Sequence, residues 1–307
     1  MTKIAVIDVG SNSIKVAVAD GQTQQEIGRS SESIRLFQPG DEAALLPSDI
    51  MDEAVEGINR LIAVAKGHGA ARIVILGTSA VRDCKNRDIF SYRIKAKTGL
   101  GLTIISGEVE ARLTAAGIRS DVLYSDYKNI LAFDLGGGSL EVMALRGKQC
   151  TLARSFALGS VRLTHGYLRG GFGAVDEHDQ SSIRSHLLNT LSTIIPSKAA
   201  ENFLIIGAGG AFASIALYLT AIGEAPIGGR LPLLRIRELK DKLCAMNIQE
   251  RQSVPGLPKD RLDIMPAALV TLCTLADLTG AEAFHLTHRG VRHGMMELML
   301  GPSGDQL

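Results

Sequence analysis

The chain has 307 residues, of which 46% are hydrophobic and 21% charged, and a formal net charge of +1. That balance excludes non-specific attachment to nucleic acid, which needs a basic excess, and no apolar run approaches the length of a membrane span. With no Trp and 4% aromatic residues the core is aliphatic, and four scattered cysteines (Cys84, Cys150, Cys244, Cys273) have neither disulfide nor metal spacing.

The first elements predicted are strands over residues 3–9, 14–19 and 25–36. A helix follows, N-capped by Ser48, with Ile50, Ala54, Val55, Ile58, Leu61, Ile62 and Ala65 on one face and Gly67 and Gly69 at its end. Arg72 to Leu76 reads as a strand, 87–97 as a helix, Leu102 to Ile105 as a strand and 107–118 as a helix. The order then restarts: strands at 129–135, 140–146 and 150–156, helices near 160–169 and 176–194, and a strand from Phe203 to Ile206. The turn Gly207-Ala208-Gly209-Gly210 leads into a helix. Leu233 to Leu300 is mostly helical, with a last strand from Phe284 to Thr287. Helices alternating with strands after an initial three-strand run predict an α/β fold with mixed sheets and flanking helices. Domains are expected over residues 1–126 and 127–307. The apolar run Ile4 to Ile7 is too short for a signal-peptide core, so a cytoplasmic protein is expected.

One pattern occurs twice, 126 residues apart: Ile7-Asp8-Val9-Gly10-Ser11-Asn12-Ser13 and Phe133-Asp134-Leu135-Gly136-Gly137-Gly138-Ser139. Each is an apolar strand, an Asp at its end, a Gly/Ser turn and a second strand. Such turns bring backbone N–H groups close to an anion, and the neighbouring Asp can hold a cation against it. Asp134 and Glu141 flank the second turn and suit a hard cation such as Mg²⁺. Arg82, in Gly77-Thr78-Ser79-Ala80-Val81-Arg82, lies just past a strand, where Thr78, Ser79 and a guanidinium suit phosphate; it is equally a surface Arg paired with Asp83. Glu110 begins a helix and is a candidate base, although the helix dipole favours an acid there in any case. No GxxxxGK[ST] is present, so this is not a P-loop NTPase. Phe212 spoils the dinucleotide fingerprint at Gly207.

Together with Ile105-Ser106-Gly107 through Leu113 and Leu158-Gly159-Ser160-Val161-Arg162-Leu163, these motifs resemble the exopolyphosphatase and guanosine pentaphosphate phosphohydrolase family. That family lies within the superfamily of sugar kinases, actin and heat-shock ATPases. The resemblance covers nearly the whole chain and matches the short, two-domain members. It implies two ribonuclease-H-like domains around an interdomain cleft, with Glu110 as the catalytic base and Arg82 as the phosphate-contacting arginine. It implies phosphate binding at Ser11, Asn12, Ser13, Thr78, Ser79, Gly136, Gly137, Gly138 and Ser139. Asp134, Glu141 and Asp8 are then the carboxylates associated with Mg²⁺ or another divalent cation. The implied substrate is inorganic polyphosphate or guanosine pentaphosphate, with no nucleic-acid or membrane partner, and members often pair as homodimers. Three positions depart from the family: Val109 replaces the first of two Glu, Leu140 a Thr, and Gly207 to Ala211 lacks the hydroxyls of the usual Gly-x-Ser-Gly-Thr loop. The expected activity is release of orthophosphate from polyphosphate. The alternatives are attack on guanosine pentaphosphate, a kinase, or a non-catalytic sensor of guanosine polyphosphates.

Overall fold

The computed structural model describes residues 2–36, 45–170, 172–196 and 198–301. They divide into two compact units, Met1–Val122 with Ala153–Ser155 and Arg289–Leu307, and Leu123–Leu152 with Phe156–His288.

In the first unit the chain lays down β1 (Lys3–Val9), β2 (Ile14–Ala19) and β3 (Glu26–Glu32) as an antiparallel meander. Helix α1 (Ser48–Gly67) then carries the chain back to β4 (Ala70–Gly77), which pairs parallel with β1. A short helix α2 (Ser79–Arg82), then α3 (Arg87–Thr98), β5 (Leu102–Ile104) and α4 (Gly107–Arg119) complete the run. The strand order is β3-β2-β1-β4-β5. Ile4 to Ile7 are all buried because β1 is central and covered on both faces. On one face, Ile7, Val9, Val16 and Val18 meet the α1 stripe (Met51, Ala54, Ile58, Leu61) and Phe90 and Ile94 of α3. Full burial of each such side chain contributes roughly 1.5–3 kcal/mol. The cap expected at Ser48 is instead Pro47, whose fixed φ suits a helix entry; Ser48 Oγ accepts a bond from Arg93.

The second unit repeats the scheme. Strands β6 (Asn129–Leu135), β7 (Leu140–Arg146) and β8 (Gln149–Phe156) are followed by α5 (Ser160–Tyr167) and α6 (Glu177–Leu191). Next come β9 (Leu204–Ala208), α7 (Gly210–Ala221), β10 (Arg230–Pro232), α8 (Leu233–Ala245), α9 (Ile248–Arg251), α10 (Met265–Thr279) and β11 (Ala283–Leu286). The order β10-β11-β9-β6-β7-β8 is that of the first sheet with one added edge strand, β10, which three residues of sequence do not announce. Helix α10 is buried almost all round and forms the centre of this unit's core with Phe133, Phe212, Phe284 and Leu239. Among the described residues no helix is long and apolar enough to cross a membrane.

The chain then forms α11 (Val291–Leu300). Sequence order assigned this helix to the second domain; it belongs to the first unit. Val291, Met295, Met296 and Met299 cover the other face of the first sheet, against Ile4, Val6, Leu76 and Leu113. Two glycines let α11 and α4 touch. A Cβ on Gly294 would lie 1.7 Å from the Leu113 carbonyl oxygen, and one on Gly117 would lie 2.2 Å from the Gly290 oxygen. His293 Nε2 stands 2.8 Å from Glu26 Oε2, tying the helix to β3 as well.

Candidate active site

In the first unit, Asp8 is the penultimate residue of β1 and the chain reverses through Gly10 to Ser13, where Gly10 N donates to the Ser13 carbonyl at 3.3 Å. A Cβ on Gly10 would stand 3.0 Å from that oxygen, so a glycine keeps the turn closed. Ser11, Asn12 and Ser13 are all buried. Arg35 Nε donates to Asn12 Oδ1 at 2.8 Å, which fixes the amide's orientation. Among the described residues Asn12 Nδ2 is then a buried donor that meets no acceptor, an expensive state for a polar group unless a ligand supplies one.

Thr78 closes the end of β4 onto this turn. Its N and Oγ1 both donate to the Val9 carbonyl, at 3.3 and 3.2 Å, and Oγ1 lies 3.4 Å from Asp8 Oδ1. Burial pushes the Asp8 carboxyl above its ordinary range, against the opposing pull of Arg292, Lys15 and the Thr78 hydroxyl. Asp8 pairs with Lys15 across the hairpin, so carboxylate and ammonium stand on one face.

Ser79 and Arg82 lie on the short helix α2, just past the strand that the sequence predicted. Ser79 Oγ donates to Asp83 Oδ2 at 3.3 Å. Arg82 is held chiefly by Glu110: Nη1 donates to Glu110 Oε2 at 2.7 Å and to the Ile105 carbonyl at 3.1 Å, whereas its Nε is 3.7 Å from Asp83. Glu110 is 7% exposed, in the first turn of α4, whose N-cap Ser106 Oγ accepts from Val109 N at 3.2 Å. Val109 occupies the third helical position, so it cannot return a bond to Ser106 as a Glu there would. This part-buried, charge-assisted pair of Arg82 and Glu110 holds one carboxylate oxygen in a fixed place.

The second unit has its own turn. Gly136 N donates to the Ser139 carbonyl at 3.0 Å, and Asp134 and Glu141 are direct cross-strand partners on one face of the sheet. Glu141 and Ser139 are buried. At the position where the first hairpin has Lys15, this one has Glu141. Gly209, with φ +91°, packs its backbone onto Asp134; a Cβ there would stand 2.5 Å from Oδ1. Only glycine serves here. Arg261 lies against the neighbouring Gly210, where an added Cβ would stand 2.1 Å from Nη1.

Three side chains at the two turns were not singled out as site residues from the sequence. Lys15 was visible in the 126-residue register, opposite in sign to Glu141. Arg35 and Arg162 act on groups 23 and 24 residues away, a separation that residue type alone does not decode. Among the described residues no three His, Cys, Asp or Glu side chains gather as a metal site.

The family description "Ppx/GppA phosphatase family" matches residues 15–301. An uncharacterised protein of Streptomyces coelicolor is 30% identical over 311 aligned positions, covering 96% of this chain and 89% of the relative. Exopolyphosphatase 1 of Mycobacterium tuberculosis is 26% identical, over 99% of this chain and 90% of its own length. Among solved structures, an exopolyphosphatase from Cytophaga hutchinsonii superimposes with a TM-score of 0.86 at 23% identity, over 97% of this chain and 98% of the other. The Aquifex aeolicus member of the family gives 0.78 at 20%, over 96% of each chain. At these identities the two structures establish the shared fold.

Proposed function

The chain belongs to the Ppx/GppA phosphatase family, and we propose that it removes the terminal phosphate of inorganic polyphosphate by hydrolysis. The observation that carries this reading is Asn12 Nδ2 at the first turn, a buried donor that meets no acceptor among the described residues. A phosphate oxygen satisfies such a donor, and hydrogen bonds to an anion are the strong kind. Phosphoryl transfer to water needs placement and charge neutralisation more than covalent chemistry. Glu110 is suited to orient and deprotonate the attacking water, with Arg82 fixing the carboxylate and offsetting charge on the phosphate. The Gly136–Ser139 turn is given the same phosphate-binding role as Gly10–Ser13.

Asp134 and Glu141 fit a divalent cation. Like charges directly opposite across a hairpin are unfavourable, and a shared Mg²⁺ completed by water and substrate oxygens relieves them. When bound, the ion would neutralise phosphate charge. Asp8 fits less well, because Lys15 already stands opposite it. A kinase reading is disfavoured by Arg261 lying on Gly210, in the turn where kinases of this superfamily seat adenosine. Four cysteines held as thiols and not as disulfides support action in a reducing compartment such as the cytoplasm.

The test is orthophosphate release, with Mg²⁺, from long-chain polyphosphate and from guanosine pentaphosphate. Glu110→Gln is expected to lower turnover roughly 10²–10⁴-fold. An unchanged rate in that variant removes Glu110 from the reaction. Faster release from guanosine pentaphosphate moves the substrate to the nucleotide.

A further inference from the structure

We infer that Ser160 and Arg162, through the N-terminal end of α5, are positioning residues that aim the backbone of the Gly136–Ser139 turn at phosphate. This rests on the reading of that turn as a phosphate site and adds the side chains that create it.

The carbonyls of Gly136, Gly137 and Gly138 are all taken from one side. The Gly136 oxygen accepts from Ser160 N at 2.9 Å and Ser160 Oγ at 3.1 Å. The Gly137 oxygen accepts from Val161 N at 2.9 Å and Arg162 N at 3.2 Å. The Gly138 oxygen accepts from Arg162 Nε at 3.0 Å. In a trans peptide the C=O and the following N–H point in opposite directions, and no peptide here is cis. Three carbonyls drawn towards α5 therefore turn the N–H groups of Gly137, Gly138 and Ser139 the other way, as a set. Among the described residues none of those three N–H groups meets a backbone or side-chain acceptor. Successive N–H groups facing one side make an anion-binding concavity.

The helix end can approach only because residue 159 is glycine. A Cβ on Gly159 would lie 2.2 Å from the Gly137 oxygen and 2.4 Å from the Gly138 carbon. Arg162 does what the helix backbone cannot. Helix N–H groups reach the first two carbonyls, and the third is beyond them, so a side-chain donor finishes the row. The role belongs to the Nε–H geometry and not to positive charge alone, because a lysine ammonium lacks the planar fork.

The experiment uses the full chain and three variants, Arg162→Lys, Arg162→Gln and Ser160→Ala, each checked for an intact thermal transition. Inorganic phosphate binding and the kinetics of polyphosphate hydrolysis are measured for each. Arg162→Gln and Arg162→Lys are both expected to weaken phosphate binding and raise KM about tenfold or more, the loss of one charge-assisted hydrogen bond, with kcat changed less. Ser160→Ala retains the backbone donor to Gly136 and is expected to show a smaller shift in the same direction. Full rescue by lysine would overturn the role assigned to Nε. Unchanged KM and phosphate affinity in folded Arg162→Gln would overturn the positioning role while wild-type hydrolysis leaves the functional reading intact. Wild-type protein that neither binds phosphate nor hydrolyses polyphosphate would overturn both.

Discussion

Replacing Gly294 by alanine probes the contact that fixes the helix bearing Glu110. The added Cβ would meet the Leu113 carbonyl oxygen at 1.7 Å and its carbon at 2.5 Å, both backbone atoms that no rotamer change can move. Restoring a carbon–oxygen separation of about 3.3 Å requires α4 and α11 to part by about 1.6 Å. That opens the packing of Val291, Met295 and Met296 on Leu113 and Ile105. Overpacking of this kind costs about 3 kcal/mol or more, offset by about 1 kcal/mol from the better helix propensity of alanine. A net loss of about 2–3 kcal/mol corresponds to a fall in Tm of roughly 10 °C for a unit of this size. Polyphosphate hydrolysis, measured well below the transition, is expected to fall about 10²-fold, since a displacement near 1 Å of a catalytic group has that effect. Gly67→Ala is the control: its Cβ meets nothing within 4 Å, so it is expected to be neutral or stabilising. A Tm within 2 °C of wild type for Gly294→Ala would refute the backbone contact between α4 and α11.

Two further outcomes follow from the first unit. Because burial raises the Asp8 carboxyl in the folded state, its contribution to stability is present below the unfolded value and is lost as pH rises through the folded one. Asp8→Asn is therefore expected to gain in Tm relative to wild type as pH goes from 4 to 8 in a melt series, and a growing deficit would contradict the assignment. Ser106→Ala removes the side-chain cap of α4 and is expected to cost about 1 kcal/mol in urea unfolding, with a fall in hydrolysis because Glu110 lies in the same turn. Full stability and activity would show that the cap does not hold that helix.

Much of the fold was readable because its signals are local. The apolar runs before Asp8 and Asp134 mark central strands, and Asp134 and Glu141, on either side of the second turn, were expected to be brought together by a hairpin, which pairs them directly. Glu110 and Arg82 were named separately; their 2.7 Å contact depends on β4 and α4 being brought together by the sheet, which neither motif encodes. The orientation of the Gly136–Gly138 carbonyls was hidden for a different reason. Peptide planes are set by their partners, and here the partners lie 24 residues downstream. Helix α11, grouped by chain order with residues 127–307, clusters with the first unit. The small residues Gly117 and Gly294, each inside a helix where glycine costs about 1 kcal/mol, were the available sign that two backbones meet there.

The first unit draws on both ends of the described chain, with the second unit's residues between them. During synthesis the ribosome therefore releases β1 to α4 early and α11 last, after the stretch Leu123 to His288 has emerged. Until then one face of the first sheet lacks its methionine cover and α4 has nothing to register against. A nascent chain at that stage carries every candidate site residue but lacks the helix against which α4, and with it Glu110, is packed. Messages cut short before residue 291 would thus yield protein with an exposed apolar sheet face, suited to capture by chaperones and proteases, and not a shortened phosphatase.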